Sequence, residues 1–199
     1  MVQRELSKQS RDNNKMKYTD ELKRAMSWLA KQGCTFLGQS VKWKGTGLFW
    51  TIQHVPEEQR IELPILEDMQ MGMSLGMALN GRDVVSIYPR MDFLVLALNQ
   101  LVNHLDKMEE MSNGQFKPRV IIRTSIGSIK PLFPGPQHNQ DHCEAIRLMC
   151  KNVNVVKLTS PDMVFKEYQK AYKADKSTIL VEVPDLYNQE LKKEVAKSK

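Results

Sequence analysis

The chain has 199 residues, 41% hydrophobic and 26% charged, enough for one domain with a real core. No run approaches the ~18 apolar residues that a membrane span needs, and the polar opening M-V-Q-R-E-L-S-K does not read as a secretory signal. The net charge of +6 sits mostly at the ends, +3 over residues 1–17 and +2 over residues 190–199, so the body lacks the basic, aromatic-interleaved face of a nucleic-acid binder.

Three scattered cysteines, Cys34, Cys143 and Cys150, form no spaced pairs and fit a reducing, cytoplasmic setting better than a disulfide framework. Residues 1–16 read as a flexible basic tail. Thr19 to Lys31 reads as a helix capped by Thr19, with Leu22, Ala25, Met26 and Leu29 at helical spacing. Cys34 to Leu37 is a short strand, and Lys42 to Glu58 a loop with aromatics at Trp43, Phe49 and Trp50. The extended segment from Arg60 ends on a carboxylate, Glu67, and leads into an Asp68–Asn80 helix that Gly81 terminates. Val84 to Tyr88 is a strand. Met91 to Met111 reads as the longest helix, apolar nearly all round its first half and so buried there.

Arg119 to Thr124 is the next strand, followed by a Gly/Pro-rich loop from Ser125 to Gln137. A helix at Asp141–Lys151, a strand at Val153–Leu158, a helix at Pro161–Ala174 opened by Ser160 and a strand at Thr178–Val183 complete the body. Residues 188–199 read as a second basic tail or helix. Short β-branched strands alternating with helices predict an α/β fold, a mostly parallel sheet with helices on both faces. Ligands then belong beyond the C-terminal strand ends, in the loops 38–50, 64–68, 88–92, 124–140 and 159–161.

Those loops carry a resemblance. F-L-G-Q-S-V (Phe36–Val41), R-I-E-L-P-I-L-E (Arg60–Glu67), G-M-A-L-N-G (Gly76–Gly81), L-N-Q-L-V-N (Leu98–Asn103), P-G-P-Q-H-N-Q (Pro134–Gln140) and N-V-V-K-L-T-S-P-D (Asn154–Asp162) occur in order. Together they resemble the pyrimidine-binding domain of thiamine-diphosphate enzymes of the transketolase-like superfamily. The likeness is nearest to the first domain of the β subunit of pyruvate-type 2-oxoacid dehydrogenases. It covers about residues 17–187.

The resemblance implies that Glu67 hydrogen-bonds N1′ of the aminopyrimidine of thiamine diphosphate. Phe93 would stack on that ring with Tyr88 nearby, and His138 would handle protons or a substrate carboxylate. A carboxyl that shares a proton with N1′ favours the imino tautomer, and needs a dry setting. Read without the resemblance, Glu67 is a helix-start acid, Phe93 and Tyr88 are core aromatics, and His138 is a surface loop histidine. Arg90 and Lys130 are candidates to select an anionic substrate, or are plain exposed cations. His138, His142 and Cys143 lack the further convergent ligands that zinc requires.

The chain contains no Gly-Asp-Gly, the motif through which the family's diphosphate-binding domain holds Mg2+ and the diphosphate. The resemblance therefore implies a partner subunit that supplies that half, in a homodimer or an αβ heterotetramer. The helix bearing Gly72 and Gly76 and the twelve methionines suit a close, adaptable contact with it. The C-terminal domain of the β subunit is not among these residues, which argues against a place in a large dehydrogenase complex. The expected function is the pyrimidine-domain subunit of a split enzyme acting on a 2-oxoacid or a ketose. The alternative is a non-catalytic assembly or regulatory subunit.

Overall fold

The computed structural model describes residues 15–130 and 132–192. Its centre is a six-stranded sheet, all parallel, in the order β3-β2-β4-β5-β7-β6. The strands are β2 (Thr35–Gly38), β3 (Arg60–Glu62), β4 (Val84–Ile87), β5 (Val120–Ser125), β6 (Val153–Leu158) and β7 (Ser177–Glu182). β4, β5 and β7 are buried along their whole length, which is why their apolar residues come side by side, as in V-I-I at residues 120–122 and I-L-V at residues 179–181, and do not alternate with polar ones.

Successive strand residues feed two separate cores. Leu37, Val84, Ile122, Val155 and Val181 enter one, and Phe36, Val85, Ile121 and Leu180 the other. The first core is closed by α3 (Glu67–Leu79), by the helical run from Met91 and by α6 (Cys143–Met149). The second is closed by α1 (Tyr18–Lys31), α2 (Gly47–Ile52) and α7 (Pro161–Lys173). Trp28 of α1 meets Phe165 and Tyr172 of α7 edge-on, at 6.0 and 5.3 Å between centroids. This is the expected three-layer, doubly wound architecture. The chain steps from β2 out to β3, then crosses back to β4 on the other side of β2. That reversal opens a crevice at the C-terminal ends of β2 and β4, the usual ligand position in such sheets.

The structure departs from several sequence expectations. α1 starts at Tyr18, and its N-cap is Lys17 without a side-chain cap, so Thr19 lies inside the first turn. The segment read as a loop at 42–58 contains α2, which Thr46 caps by accepting from the Phe49 N–H at 3.1 Å. Of the two expected tails, residues 1–14 and 193–199 lie outside the described residues. Between them, Lys15–Lys17 (β1) and Glu190–Lys192 (β8) pair antiparallel, Lys15 opposite Lys192.

The expected long helix is not continuous. It runs as α4 (Met91–Leu94), a 3₁₀ turn (Val95–Ala97), a π segment (Asn99–Leu105) and α5 (Met108–Met111). Met91, Leu94 and Ala97 are buried at steps of three, and Leu101 and Leu105 follow at steps of four. Three-residue turns keep the first set on the sheet where a 3.6-residue helix would rotate it away. The first half is not buried all round, since Leu96 is 64% exposed. The end of α3 matches expectation. Gly81 takes φ 75°, its N–H donates to Ala78 O and that of Arg82 to Met77 O, both at 3.0 Å, which is a Schellman stop.

Candidate active site

Gly38 closes β2 where the backbone runs tight against β4. A Cβ at residue 38 would stand 2.2 Å from the Ile87 carbonyl oxygen, and φ is 149°, so glycine is required. The turn beyond is organised by Glu62 at the end of β3. Its carboxylate accepts from the backbone N–H of Ser40 at 2.7 Å and of Lys42 at 2.6 Å. Gln39 is thereby placed to donate from Nε2 to Oε1 of Glu67 at 3.0 Å.

Glu67 is 4% exposed and is the first residue of α3, where unpaired backbone N–H groups favour a negative charge. No other hydrogen bond to its carboxylate comes from the described residues. The helix beneath is anchored by buried polar contacts. Gln70 Nε2 donates to Ser86 Oγ at 3.1 Å and Ile87 O at 2.9 Å, and Ser74 Oγ lies 2.9 Å from Ser86 Oγ. A carboxylate on so fixed a platform presents its free oxygen in one direction.

Tyr88 follows β4 and is fully buried in the first core. Its hydroxyl donates to the backbone oxygen of Glu67 at 3.4 Å, and burial pushes the phenol well above its ordinary pKa. It supports Glu67 from below.

A second group gathers at the start of α4. The ring of Phe93 meets the imidazole of His138 edge-on at 5.5 Å, and Arg90 Nη1 donates to the His138 carbonyl at 3.2 Å. Asp92 Oδ1 accepts from the Gln140 side chain at 3.1 Å. The histidine loop is thus pinned on both sides of His138. It also crosses Gly127 so closely that a Cβ there would lie 2.2 Å from the His138 carbonyl oxygen. Nδ1 of His138 is buried without a hydrogen-bond partner among the described residues.

Four of the six residues singled out from the sequence therefore fall into two tight contacts, Glu67 with Tyr88 and Phe93 with His138, and Arg90 joins the second. Lys130 stands apart in an exposed loop, where its backbone N–H donates to Asp185 Oδ1 at 3.1 Å. Gln39 was not anticipated, although it lies inside the motif F-L-G-Q-S-V.

Nor was a buried ion pair beside the crevice. Arg123 of β5 and Glu182 of β7 are each 2% exposed. Arg123 Nε donates to one carboxylate oxygen and Nη2 to the other at 3.3 Å, while Nη2 also reaches Thr51 Oγ1 at 2.7 Å. Burial works against the guanidinium charge, but the neighbouring Glu182 carboxylate outweighs it and raises the Arg123 pKa. A charged residue within each apolar strand was the available signal.

The thiols lie outside these groups. Burial pushes Cys143 up to about 12 and Cys150 up to about 11, which marks them as unreactive. Among the described residues no cluster of three or more His, Cys, Asp or Glu is placed to hold a metal ion. No described helix is long and apolar enough to cross a membrane.

The family model of the transketolase pyrimidine-binding domain matches residues 14–189. The chain is similar to pyruvate dehydrogenase E1 component subunit beta-4, chloroplastic, of Oryza sativa subsp. japonica, at 30% identity over 128 residues, 64% of this chain and 31% of that protein. It is 30% identical to pyruvate dehydrogenase E1 component subunit beta of Gracilaria tenuistipitata var. liui, over 64% of this chain and 39% of that protein. The chain thus spans between about a third and two fifths of these relatives' length. Among solved structures, a split gene transketolase described as an inactive beta4 tetramer superposes with a TM-score of 0.65. The identity is 15%, over 83% of this chain and 51% of that one. That likeness is one of fold.

Proposed function

The chain belongs to the transketolase pyrimidine-binding domain family, and from that premise we propose that it is the pyrimidine-domain subunit of a split thiamine-diphosphate enzyme acting on a 2-oxoacid or a ketose. The observation that carries the reading is Glu67, a nearly dry carboxylate at the switch point of the sheet, held by Gln39 through one oxygen only. The residues present fit an aminopyrimidine. Glu67 offers the free oxygen, Phe93 a half-buried aromatic ring, and His138 an unpartnered ring nitrogen.

When bound, thiamine diphosphate would supply the electron sink that lets a carbon–carbon bond next to a carbonyl break. The chain's own residues then have separate tasks. Glu67 holds a proton at N1′, and Gln39 fixes the direction in which it is offered. Phe93 orients the ring. His138, carried on the loop that Arg90 pins, moves a proton at the substrate side.

Magnesium and the diphosphate fall to a partner with a Gly-Asp-Gly domain, met in a cytoplasmic complex. Exposed Ile65, Leu66, Met69 and Met73 surround the start of α3 and support a partner at that position, since a cluster of exposed large apolar side chains marks a contact surface.

The test is to purify the chain with its partner from the native source and measure stability and turnover with the cofactor and Mg2+. A co-purifying Gly-Asp-Gly subunit and a complex stabilised by the cofactor are expected. Glu67→Gln should cut turnover about 10²- to 10⁴-fold, the usual weight of acid–base catalysis, with assembly intact. An active Glu67→Ala complex would falsify the assignment. A complex blind to the cofactor would leave the non-catalytic assembly role.

A further inference from the structure

Beside the Glu67 and His138 groups lies a cavity of about 270 Å³, between the C-terminal ends of β4, β5 and β7. None of Glu67, Phe93 or His138 lines it. Its charged lining residues are Arg90, Arg123 and Glu182, which leave one net positive charge. Arg123 is 2% exposed, and its Nε and Nη2 are committed to Glu182 and Thr51. Its Nη1 is buried with no partner. A buried guanidinium donor that no described residue satisfies costs free energy unless an acceptor completes it, and Arg123 lies in the cavity wall. The remaining wall is mixed, with Leu48, Pro89, Pro184 and Tyr187 on the apolar side and hydroxyl residues such as Thr46 and Ser128 on the polar side.

We propose that this cavity binds a small aliphatic monocarboxylate, its carboxylate on Arg123 Nη1 and its tail against Leu48, Pro184 and Tyr187. Charge selects the class. One carboxylate neutralises the site, whereas a phosphate dianion would leave an excess negative charge beside Glu182 in a poorly solvated space. A guanidinium edge matches a carboxylate, and the volume suits an acid of a few carbons. Arg90 lies in the cavity wall and also holds the His138 carbonyl, so an occupant at Arg90 bears on the histidine loop. The site is distinct from the cofactor reading and is tested without it.

The experiment uses the full chain alone, titrated at constant ionic strength with butyrate, acetate and inorganic phosphate and followed by amide chemical shifts. Butyrate should bind saturably with Kd on the order of 1 mM, acetate more weakly and phosphate not at all. Arg123→Lys keeps a charge opposite Glu182 but removes Nη1, and should weaken butyrate about ten- to a hundredfold, the worth of one charged hydrogen bond. Leu48→Trp fills the cavity without touching the ion pair and should abolish binding; it decides the matter if Arg123→Lys does not fold. Absence of saturation would mean that water alone completes Nη1 and would overturn the proposal. So would phosphate binding as tight as butyrate, or binding unchanged in the folded variants.

Discussion

Glu182→Gln is the sharpest probe of what holds the sheet together at its functional end. The carboxylate faces Arg123 and also accepts from the phenols of Tyr168 at 3.3 Å and Tyr187 at 2.6 Å. Burial, and then the Glu182 charge, raise both phenol pKa values well above the ordinary one, so both remain neutral donors. The amide keeps the shape and one acceptor but removes the charge that opposes the guanidinium. An uncompensated buried charge costs about 3–5 kcal/mol. The replacement amide oxygen still accepts from Arg123, so the lower end, about 3 kcal/mol, is expected. In urea that is a midpoint lowered by roughly 1–3 M at unchanged slope, readable from the fluorescence of the three tryptophans. Arg123→Met combined with Glu182→Gln should lose about 2 kcal/mol less than the two single changes added together. A loss below about 1 kcal/mol, or simple additivity, would refute the claim that the pair compensates two buried charges.

Two further expectations test the frame around the site. Gly38→Ala meets the Ile87 carbonyl and an unfavourable φ, and should destabilise the chain by about 2 kcal/mol or more; an unchanged melting temperature would contradict the close approach. Asp141 tethers the start of α6 by accepting from the Cys143 N–H at 3.1 Å, and it pairs with Lys157 at 2.6 Å. Burial works to raise its pKa, but the hydrogen bonds from Cys143 and Lys157 prevail and lower it to about 2. A depressed acid stabilises the fold above its unfolded pKa and loses that contribution as pH falls through the folded one, here between about 4 and 2. Asp141→Asn removes the half-exposed pair with Lys157 and should therefore cost up to about 1 kcal/mol at neutral pH and nothing below that window; a cost independent of pH would contradict the assignment.

The sheet was legible because its strands are buried on both faces. V-N-V-V-K-L was placed to the residue, and V-V-S-I and S-T-I-L-V-E within one. The Schellman stop at Gly81 was legible because a positive φ has few solutions. The run F-L-V-L-A-L was misread because an apolar residue at nearly every position fits three-, 3.6- and four-residue turns equally, and only the sheet beneath selects among them. α2 was hidden by its glycines and short length. The ribbon was hidden because Lys15–Lys17 and Glu190–Lys192 lie 175 positions apart and carry the charge of a solvated tail. For the site, the resemblance drew attention to Glu67, Phe93 and His138, and the structure shows what surrounds them. Gln39 and the Arg123–Glu182 pair depend on which strand ends become neighbours, and that is a property of topology.

The ribbon of β1 and β8 has a mechanical consequence. Lys15 faces Lys192 and Lys17 faces Glu190, so the chain enters and leaves at the same end of a two-stranded unit that is marginal on its own. Tension applied through both ends would peel this pairing apart one bond at a time, like a zipper, before any load reaches the parallel sheet. In a force experiment the chain should lengthen first by a short, low-force, reversible step. Hydrogen exchange in β1 and β8 should likewise be fast while β4, β5 and β7 stay protected. Such a fuse shields the crevice at the strand ends from strain arriving along the chain.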